Sequence, residues 1–560
     1  MEKLYQKKLG YLGCLSGLNL LRQLHPDIQS QLMNDVNQIL TNIRVNKNDI
    51  FGVFVSIERS NFYKLSTYPF DIHGCIGYWN KSFQSVSIQN IVDQLVDVAY
   101  KATWMDNRNG YFSDKIWKDS NAIYKIYIMN LPIYEIHPVT GIITELGIKF
   151  TNNEYGIIVY SETGESATYL PGVFPDKSWI YIKNSIGTKA GINNNTNTST
   201  SKIKYFGYRC TVAKVSIQDC FKTYLYTSIK RSLTDWINNY FGIETNSFIP
   251  YEITNNKINV DKTQDVRNIA TIYDFVTHLF EYKLSNNALY SMYKILKYYK
   301  RKYKSSENYQ AISFLLLAFQ TFNKKTKFNN QHINKYIAEK YAILCMNENI
   351  QNYEPDFELC EVGIALNKLV KYSDHINYVD HTGDINTIEA ILDRILMDKR
   401  NIAYEKENNN SLNKYVNWDD VFRYNWNCKY LESIYWSWRY NGKSRESIRH
   451  NIGIKIRKIR DMIIKKMIIF CDNNLEELET NYLAVILECL NSIRKIGELT
   501  GELSDDIMEK INNNIIYVMY LLVKTRLNND KKINKYGLFK FKNGSIRLDI
   551  TGHILNGIAS

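Results

Sequence analysis

The chain has 560 residues, which is too long for one ordinary domain and suggests about two to four. Its hydrophobic fraction of 45% and charged fraction of 23% are normal for a soluble globular protein. The net charge of +13 would suit an acidic partner. However, no arginine-rich segment, basic helical stripe or zinc-finger spacing is visible. A nucleic-acid partner is therefore not expected, although the net charge alone does not exclude one.

Up to about residue 222, strand and helix patterns alternate with short links. This alternation predicts one mixed α/β domain over 26–222, preceded by an N-terminal extension of residues 1–25. Helices are predicted at 27–43, 88–105 and 177–189, and strands at 50–57, 71–79, 122–129, 155–160, 166–170 and 205–216. Residues 193–201 are a run of Asn, Thr and Ser that is typical of a solvated loop.

Beyond residue 222 the strand signal almost disappears. Residues 223–261 are predicted as a linker and 262–560 as an all-helical domain. Helix-period runs lie at 274–283, 287–303, 309–322, 334–347, 388–397, 417–440, 454–471, 475–496 and 505–526. Polar turns separate them at fairly even intervals, as expected for stacked helical hairpins.

The candidate functional centre is the strand at 71–79, which carries Cys75 between Gly74 and Gly77. Strand alternation would place His73, Cys75 and Gly77 on one face. Two glycines beside one thiol remove side chains from the local backbone, so that another group can approach closely. His73 is a base that would favour the thiolate of Cys75 and make it a nucleophile. Packing is the alternative explanation, because free cysteine is among the most buried residue types.

Four motifs occur in a fixed order around this strand. They are His-Gly-Cys-Ile-Gly at 73–77, Asp-Asn-Arg at 106–108, Ser-Ala-Thr-Tyr-Leu-Pro-Gly-Val at 166–173 followed by Trp179 and Lys189-Ala-Gly, and Tyr-Phe-Gly-Tyr-Arg at 205–209. Over about residues 50–216 they resemble the AMMECR-type domain, which typically has arginine where this chain has His73. The resemblance implies an α+β fold in two subdomains, with an antiparallel sheet flanked by helices. It brings no established reaction or cofactor with it.

Three further matched residues are candidate ligand-binding groups. Asp106 and Arg108 either stabilise the turn that ends the helix at 88–105 or present the arginine to an anion. Lys189 ends the helix at 177–189, where a cation complements the helix dipole, and contact with a substrate anion is the alternative.

The C-terminal residues 536–553 resemble the end of an α/α toroid, a ring of helical hairpins found in glycan-processing and prenyl-transferring enzymes. Asp549 and His553 are four apart and share a helix face, so they form either half of a metal site, an acid/base pair or a packed cap-and-core pair. No third metal ligand is visible. The aromatic run at 430–440 either lines a sugar-binding cavity or packs in the core.

The cellular location is predicted from the cysteines and the apolar runs. The nine cysteines form no Cys-x-x-Cys pair, which fits reduced thiols in a cytosol-like compartment. The N-terminus lacks a signal-peptide core, and the longest apolar runs fall short of the roughly 20 residues of a spanning helix. We therefore predict a cytoplasmic protein without a membrane partner. Abundant Asn, Ile and Lys fit an AT-rich genome such as that of a large DNA virus, for which a virion location is also open.

These observations lead to one principal hypothesis and two alternatives. The α/β domain binds an unidentified small molecule, or modifies a protein partner, at a pocket containing Cys75. Alternatively, the protein is a non-catalytic scaffold whose helical half is a docking surface. The second alternative is a carbohydrate-active or isoprenoid-related enzyme whose chemistry lies in the helical half. No cofactor is indicated.

Overall fold

The computed structural model describes residues 2–24, 26–47, 49–60, 70–106, 119–192, 203–240, 252–254, 257–259, 265–279, 286–305, 308–326, 331–345, 357–369, 382–398, 420–440, 446–472, 475–525 and 546–558. The chain forms two compact units, Met1–Cys220 and Phe221–Ser560.

The first unit is built on an antiparallel sheet. Its helices are α1 (Glu2–Gly17), α2 (Pro26–Lys47), α3 (Ile88–Trp104) and α4 (Trp179–Lys189), and α5 (Ile217–Tyr240) follows. Its strands are β1 (Ile50–Ser60), β2 (Phe70–Trp79), β3 (Ala122–Ile136), β4 (Ile142–Ile143), β5 (Ile148–Lys149), β6 (Gly156–Tyr160), β7 (Ser166–Tyr169) and β8 (Lys204–Ser216). The main strand order is β2-β1-β3-β8-β6-β7, and β4 and β5 form a short branch from the end of β3.

The two faces of this sheet are covered differently. On one face lie α1 and α3, and α3 buries an apolar stripe that includes Ile91, Leu95 and Val98. The other face carries an aromatic cluster around Phe54 and Tyr127. A second core forms between α4 and the strands β4, β6 and β7. The predicted antiparallel sheet with flanking helices is confirmed.

Helix α1 covers most of residues 1–25, for which the sequence predicts an extension. Its glycines obscured the helical pattern, but they are what allows the helix to lie close to its neighbours. A Cβ atom at Gly13 would lie 2.7 Å from Ile126, and one at Gly17 would lie 2.6 Å from the ring of Tyr124. The described side chains Leu9, Leu12 and those that follow are buried, so α1 is part of the first unit's core.

The second unit is helical. After α5 come α6 (Asp265–Leu279), α7 (Asn286–Lys302), α8 (Tyr309–Thr326), α9 (Gln331–Cys345), α10 (Phe357–Lys368), α11 (Thr382–Met397), α12 (Asp420–Tyr440), α13 (Glu446–Asp472), α14 (Thr480–Thr500), α15 (Asp505–Thr525) and α16 (Leu548–Ile558). Three short strands, β9 (Glu252–Thr254), β10 (Lys257–Asn259) and β11 (Ile546–Arg547), pair antiparallel in the order β10-β9-β11.

Six of the described helices close into a ring. Going round it, α6 packs on α8, α8 on α10, α10 on α12, α12 on α14, α14 on α16, and α16 returns to α6. The helices between them in sequence, α7, α9, α11, α13 and α15, pack on the outside of this ring. Alternation of inner and outer helices is what a toroid of helical hairpins requires, and the short β9–β11 pairing joins the beginning of the unit to the strand before its closing helix.

Candidate functional site

The helix ring encloses two adjoining cavities, of about 380 and 720 Å³. Each of the six inner helices contributes side chains to both cavities, which places them at the centre of the ring. Side chains common to both are Phe314, Glu361, Trp426, Lys429 and Asn556. Carboxylates, lysines, amides and aromatic rings therefore make up much of the wall.

Glu488 is the buried anion of this wall. It lies on α14, a helix buried on nearly all sides, and is only 2% exposed. Its carboxylate accepts from Lys429 Nζ at 2.6 Å and from Asn425 Nδ2 at 2.7 Å, and it lies 2.8 Å from His553 Nδ1. Burial acts to raise the pKa of Glu488, but the charges of Lys429 and His553 outweigh it and hold that pKa well below its usual range. Glu488 is therefore ionised.

Asp274 on α6 is another carboxylate of the wall, and its pKa is shifted in the opposite direction to that of Glu488. Burial raises the pKa of Asp274 to about 6, and the negative charge of Glu488 adds to the rise. Asn556 donates from Nδ2 to the Asp274 carboxylate at 3.0 Å, and its Oδ1 lies 2.6 Å from His278 Nε2. Burial also lowers the pKa of His278, to about 4, so this histidine is neutral near pH 7. Gly552 leaves room for the carboxylate, because a Cβ atom there would lie 2.4 Å from Asp274 Oδ2.

Two carboxylates whose environments push their pKa values apart can perform different tasks in one reaction. Glu488 holds a fixed negative charge, whereas Asp274 exchanges a proton close to neutral pH. Aromatic rings stand beside them: the Lys429 ammonium lies 4.3 Å from the centre of the Trp426 ring, and Trp426 meets His553 edge to face at 6.4 Å. The site combines a proton donor, a fixed anion and flat apolar surface.

The predicted residues of the helical half are partly found at this site. His553 lines the larger cavity, while the side chain of Asp549 lies outside the described residues. Within the described part of the chain, no group of three His, Cys, Asp or Glu side chains is placed to hold a metal ion. In the aromatic run, Tyr430 is fully buried and packs against Gly363, so it belongs to the core, and the side chains after residue 435 are outside the description.

The second candidate site is β2 of the first unit, which lies at the edge of the sheet and pairs with β1. The register shifts at Ile57 and Glu58, so that His73 falls in a bulge. Cys75, opposite Ser56, packs with the aromatic cluster, whereas the His73 ring bonds to the backbone of Thr103 on α3. The prediction that His73 and Cys75 share a face is therefore wrong, because the bulge breaks the alternation.

The space beside the cysteine is occupied by an aromatic ring. A Cβ atom at Gly77 would lie 2.1 Å from the ring of Phe54, which stacks on Trp79 with 5.7 Å between ring centres. At Gly77 the expected close approach is confirmed, and the group that approaches is Phe54 of the neighbouring strand. Cys75 itself is half-buried.

Asp106 and His73 meet at the outer edge of β2. Asp106 accepts a hydrogen bond from the backbone N–H of Cys75 at 2.8 Å, which satisfies a donor that the sheet edge would otherwise present to solvent. Burial lowers the pKa of His73, although its bond to Thr103 and the charge of Asp106 act in the other direction. Arg108 lies outside the described residues.

Residues 27–213 match the family model named AMMECR1. This part of the chain is an AMMECR1 domain. No curated protein matches the sequence. Among solved structures, an unsaturated glucuronyl hydrolase specific for heparin is similar at 9% sequence identity, with a TM-score of 0.40, over 60% of this chain and 95% of that one. So low a score defines neither the fold nor the activity of the helical unit.

In the AMMECR1 domain, Lys189 connects α4 to β7. Its ammonium donates to the carbonyl of Thr168 at 2.8 Å and lies 4.5 Å from the centre of the Tyr169 ring. A buried ion pair between Glu58 and Lys125, which the sequence did not suggest, lies near Cys75. Ser56, the residue opposite Cys75, donates to the same carboxylate at 3.3 Å.

Sequence reasoning also missed Glu488, Asp274 and Lys429. One signal was available, since Glu488 is the single charged residue in the otherwise apolar run 483–490. A lone carboxylate in a helix that is apolar all round indicates a buried ion or a site. For Asp274 and Lys429 no comparable signal exists, because both lie in runs of mixed polarity. In the described part of the chain, no helix is long and apolar enough to cross a membrane.

Proposed function

We propose that the helical unit is an acid–base enzyme that acts on a carbohydrate held inside the helix ring. The supporting observation is the pair of carboxylates Asp274 and Glu488, whose pKa values are shifted in opposite directions. Asp274 lines the larger and Glu488 the smaller of the two adjoining polar cavities. Groups with shifted pKa values that face a cavity are characteristic of catalytic sites.

The lining of the cavity favours a sugar over an isoprenoid. An apolar chain would displace water from the lysines, carboxylates and amides of the wall without replacing its hydrogen bonds, at a cost of about 1–3 kcal/mol for each neutral polar group left short of a partner and more for each charge. Sugar hydroxyls can donate to and accept from these groups, while the rings of Trp426, Phe314 and Tyr273 offer flat surfaces to the C–H faces of a pyranose.

The proposed step is hydrolysis of a glycosidic bond. Protonated Asp274 donates its proton to the leaving oxygen as the bond from that oxygen to the anomeric carbon breaks. Water attacks the same carbon and gives up its proton to the neutral form of His553, and the fixed charge of Glu488, 2.8 Å from Nδ1, stabilises the imidazolium that results. Lys429 and Asn425 keep the carboxylate of Glu488 in place.

A panel of 4-nitrophenyl glycosides and defined oligosaccharides, with neutral and uronic-acid residues, tests this proposal through release of nitrophenol or new reducing ends. Asp274→Asn preserves the oxygen that accepts from Asn556 but cannot protonate a leaving group. It should lower kcat/KM roughly 100-fold or more. Glu498→Gln changes a carboxylate on the same helix as Glu488 that is 57% exposed, and should leave turnover unchanged. Turnover of a panel member that Asp274→Asn leaves intact, or no turnover or binding of any member, would contradict the proposal.

A second candidate function concerns the AMMECR1 domain, for which we propose binding of a small ligand, or modification of a partner, at Cys75. The supporting observation is that Cys75 and Cys210 are the two described cysteines that are not fully buried. Iodoacetamide should alkylate Cys75 at least tenfold faster than Cys471, as followed by mass spectrometry. Burial raises the pKa of the Cys471 thiol and so keeps that thiol in its neutral, unreactive form. Equal rates would eliminate a nucleophilic role for Cys75.

A further inference from the structure

Helix α7, on the outside of the ring, has two contrasting faces. Its apolar side chains Met292, Ile295, Leu296 and Tyr299 are buried against the ring. The exposed face consists of Tyr290, Lys294, Lys297, Tyr298, Arg301 and Lys302, and Lys304 follows directly after the helix. Among the side chains described in 289–305, every exposed one except Ser305 is therefore a tyrosine or a cation.

The exposed residues form one continuous surface. Positions 290, 294, 297, 298 and 301 recur every three or four residues, so they lie along one side of the helix over roughly 17 Å. Rings and cations alternate on it: the Lys294 ammonium lies 4.6 Å from the centre of the Tyr290 ring. Lys297 lies 4.7 Å from the centre of the Tyr293 ring.

The charge of this surface is not balanced within the helix. Residues 286–305 contain no Asp or Glu. Among the described residues, Lys302 pairs with Asp265, and no carboxylate pairs with Lys294, Lys297 or Arg301. A neighbouring helix, α9, carries Glu339, which lies near Lys300 and within 3.9 Å of Lys335. Other outer helices differ, since Lys455 on α13 meets both Glu389 and Asp393 of α11. Uncompensated like charges on one face indicate an anionic partner.

Two properties of the surface decide between kinds of polyanion. Insertion into a membrane needs an apolar helix face, and the apolar face of α7 is already buried in the unit. Tyr290 is 60% exposed and Tyr298 39%, so rings are available on which unpaired bases can stack. We infer that the exposed face of α7 binds single-stranded nucleic acid, with its cations on the phosphates and its tyrosines on the bases. This surface corrects the prediction that the chain has no basic helical stripe, which abundant lysine elsewhere in the sequence concealed.

Fluorescence anisotropy of the full-length protein with labelled 12-nucleotide oligo(dT) and oligo(U), at 50–200 mM salt, tests this inference. Lys294→Gln/Lys297→Gln/Arg301→Gln should weaken binding by tenfold or more. It should also reduce the slope of log K against log salt by about 2, at roughly 0.7 for each phosphate that the protein no longer neutralises. Tyr290→Ala should weaken binding by roughly tenfold, because a base can no longer stack on the ring.

The matched control removes the same charge elsewhere. Lys458→Gln/Lys465→Gln/Lys510→Gln replaces three exposed lysines of α13 and α15, and should change the affinity less than twofold. Equal losses in both triple variants would reduce the binding to net charge and overturn the inference, as would a 12-base-pair duplex that binds as well as the single strand. Binding to vesicles of anionic lipid without binding to either oligomer would identify a membrane surface instead. Unchanged circular dichroism and melting temperature establish that each variant is folded.

Discussion

The strand around Cys75 and the interior of the helix ring both bring polar groups next to aromatic rings, yet they use them differently. Beside Cys75 the space left by Gly77 is filled by Phe54, and the carboxylate of Asp106 is engaged by the backbone of β2. In the ring, Asp274 and Glu488 stand at the wall of an open volume. The strand with the recognisable sequence motif is therefore largely packed. The helices of the ring carry no such motif, yet they surround the cavities that can hold a substrate.

The two regions also differ in how their charged groups are paired. Near Cys75, Glu58 and Lys125 neutralise each other in a buried pair. In the ring, one anion is held charged by Lys429 and His553 while its neighbour Asp274 is left to titrate. Four substitutions would sharpen this comparison or break it.

The largest effect is expected for Glu488→Ala. Removal of the carboxylate leaves Lys429 buried without its counter-charge, which costs about 3–5 kcal/mol of unfolding free energy. Denaturant unfolding, followed by tryptophan fluorescence, measures the loss. Glu339→Ala in α9 removes one partner of the exposed pair Lys335–Glu339 and should cost less than about 0.5 kcal/mol. Similar losses for the two variants would show that the charge network of the ring is not a buried one.

Asp274→Asn should change how stability depends on pH. Its folded pKa of about 6 lies above the ordinary value of 3.8, so the folded state binds more protons than the unfolded state between these values. The contribution of Asp274 to the unfolding free energy therefore falls by about 2 kcal/mol as the pH rises from 4 to 6. The variant lacks this fall, and its stability relative to the original protein should rise by that amount over the interval.

A second group, His278, also makes the stability of the original protein depend on pH. Its pKa is lowered to about 4, so its contribution to the unfolding free energy rises as the pH rises from 4 to 6.5 and partly masks the effect of Asp274. Because both proteins contain His278, its contribution cancels in their difference. A difference that stays constant between pH 4 and 6 would mean that Asp274 is not held in its neutral form.

Gly77→Ala tests whether the Cys75 region is packed. The new methyl group would lie 2.1 Å from the Phe54 ring, so the stack of Phe54 on Trp79 must shift, at a cost of about 1–3 kcal/mol. Gly187→Ala in α4 is the control: no atom lies within 4 Å of its added Cβ, and it should gain up to about 1 kcal/mol from helix propensity. Thermal melting distinguishes them. An unchanged melting temperature for Gly77→Ala would show that the space beside Cys75 is not filled by Phe54.

Asp106→Asn should have the smallest effect. The amide oxygen can still accept from the N–H of Cys75, but the charge that strengthens this bond is lost, and we expect a decrease of about 1 kcal/mol. Hydrogen exchange at the Cys75 amide measures it locally, because opening of an edge strand exposes that proton. Exchange as slow as in the original protein would show that Asp106 does not hold the edge of β2.

Local sequence patterns determined most elements of this protein. The apolar stripe of α3, the β-branched run of β3 and the helical periods after residue 265 reflect side chains that alternate between core and solvent, so the period alone identifies them. Helix α1 escaped this logic, since its glycines are explained by close contacts with Ile126 and Tyr124, far away in sequence. The bulge at His73 escaped it too, because register is set between strands and not within one.

The composition of the candidate site was decided by the tertiary structure. Asp274, Lys429, Glu488 and His553 come from four helices that meet only when the ring closes. Their pKa values depend on burial and on neighbouring charges, which no local pattern contains. Sequence alone identified the AMMECR1 strand and His553 as a candidate. Only closure of the ring brings the carboxylate of Glu488 within 2.8 Å of His553, because a buried charge is stabilised only by the groups that the fold places within a few ångströms of it.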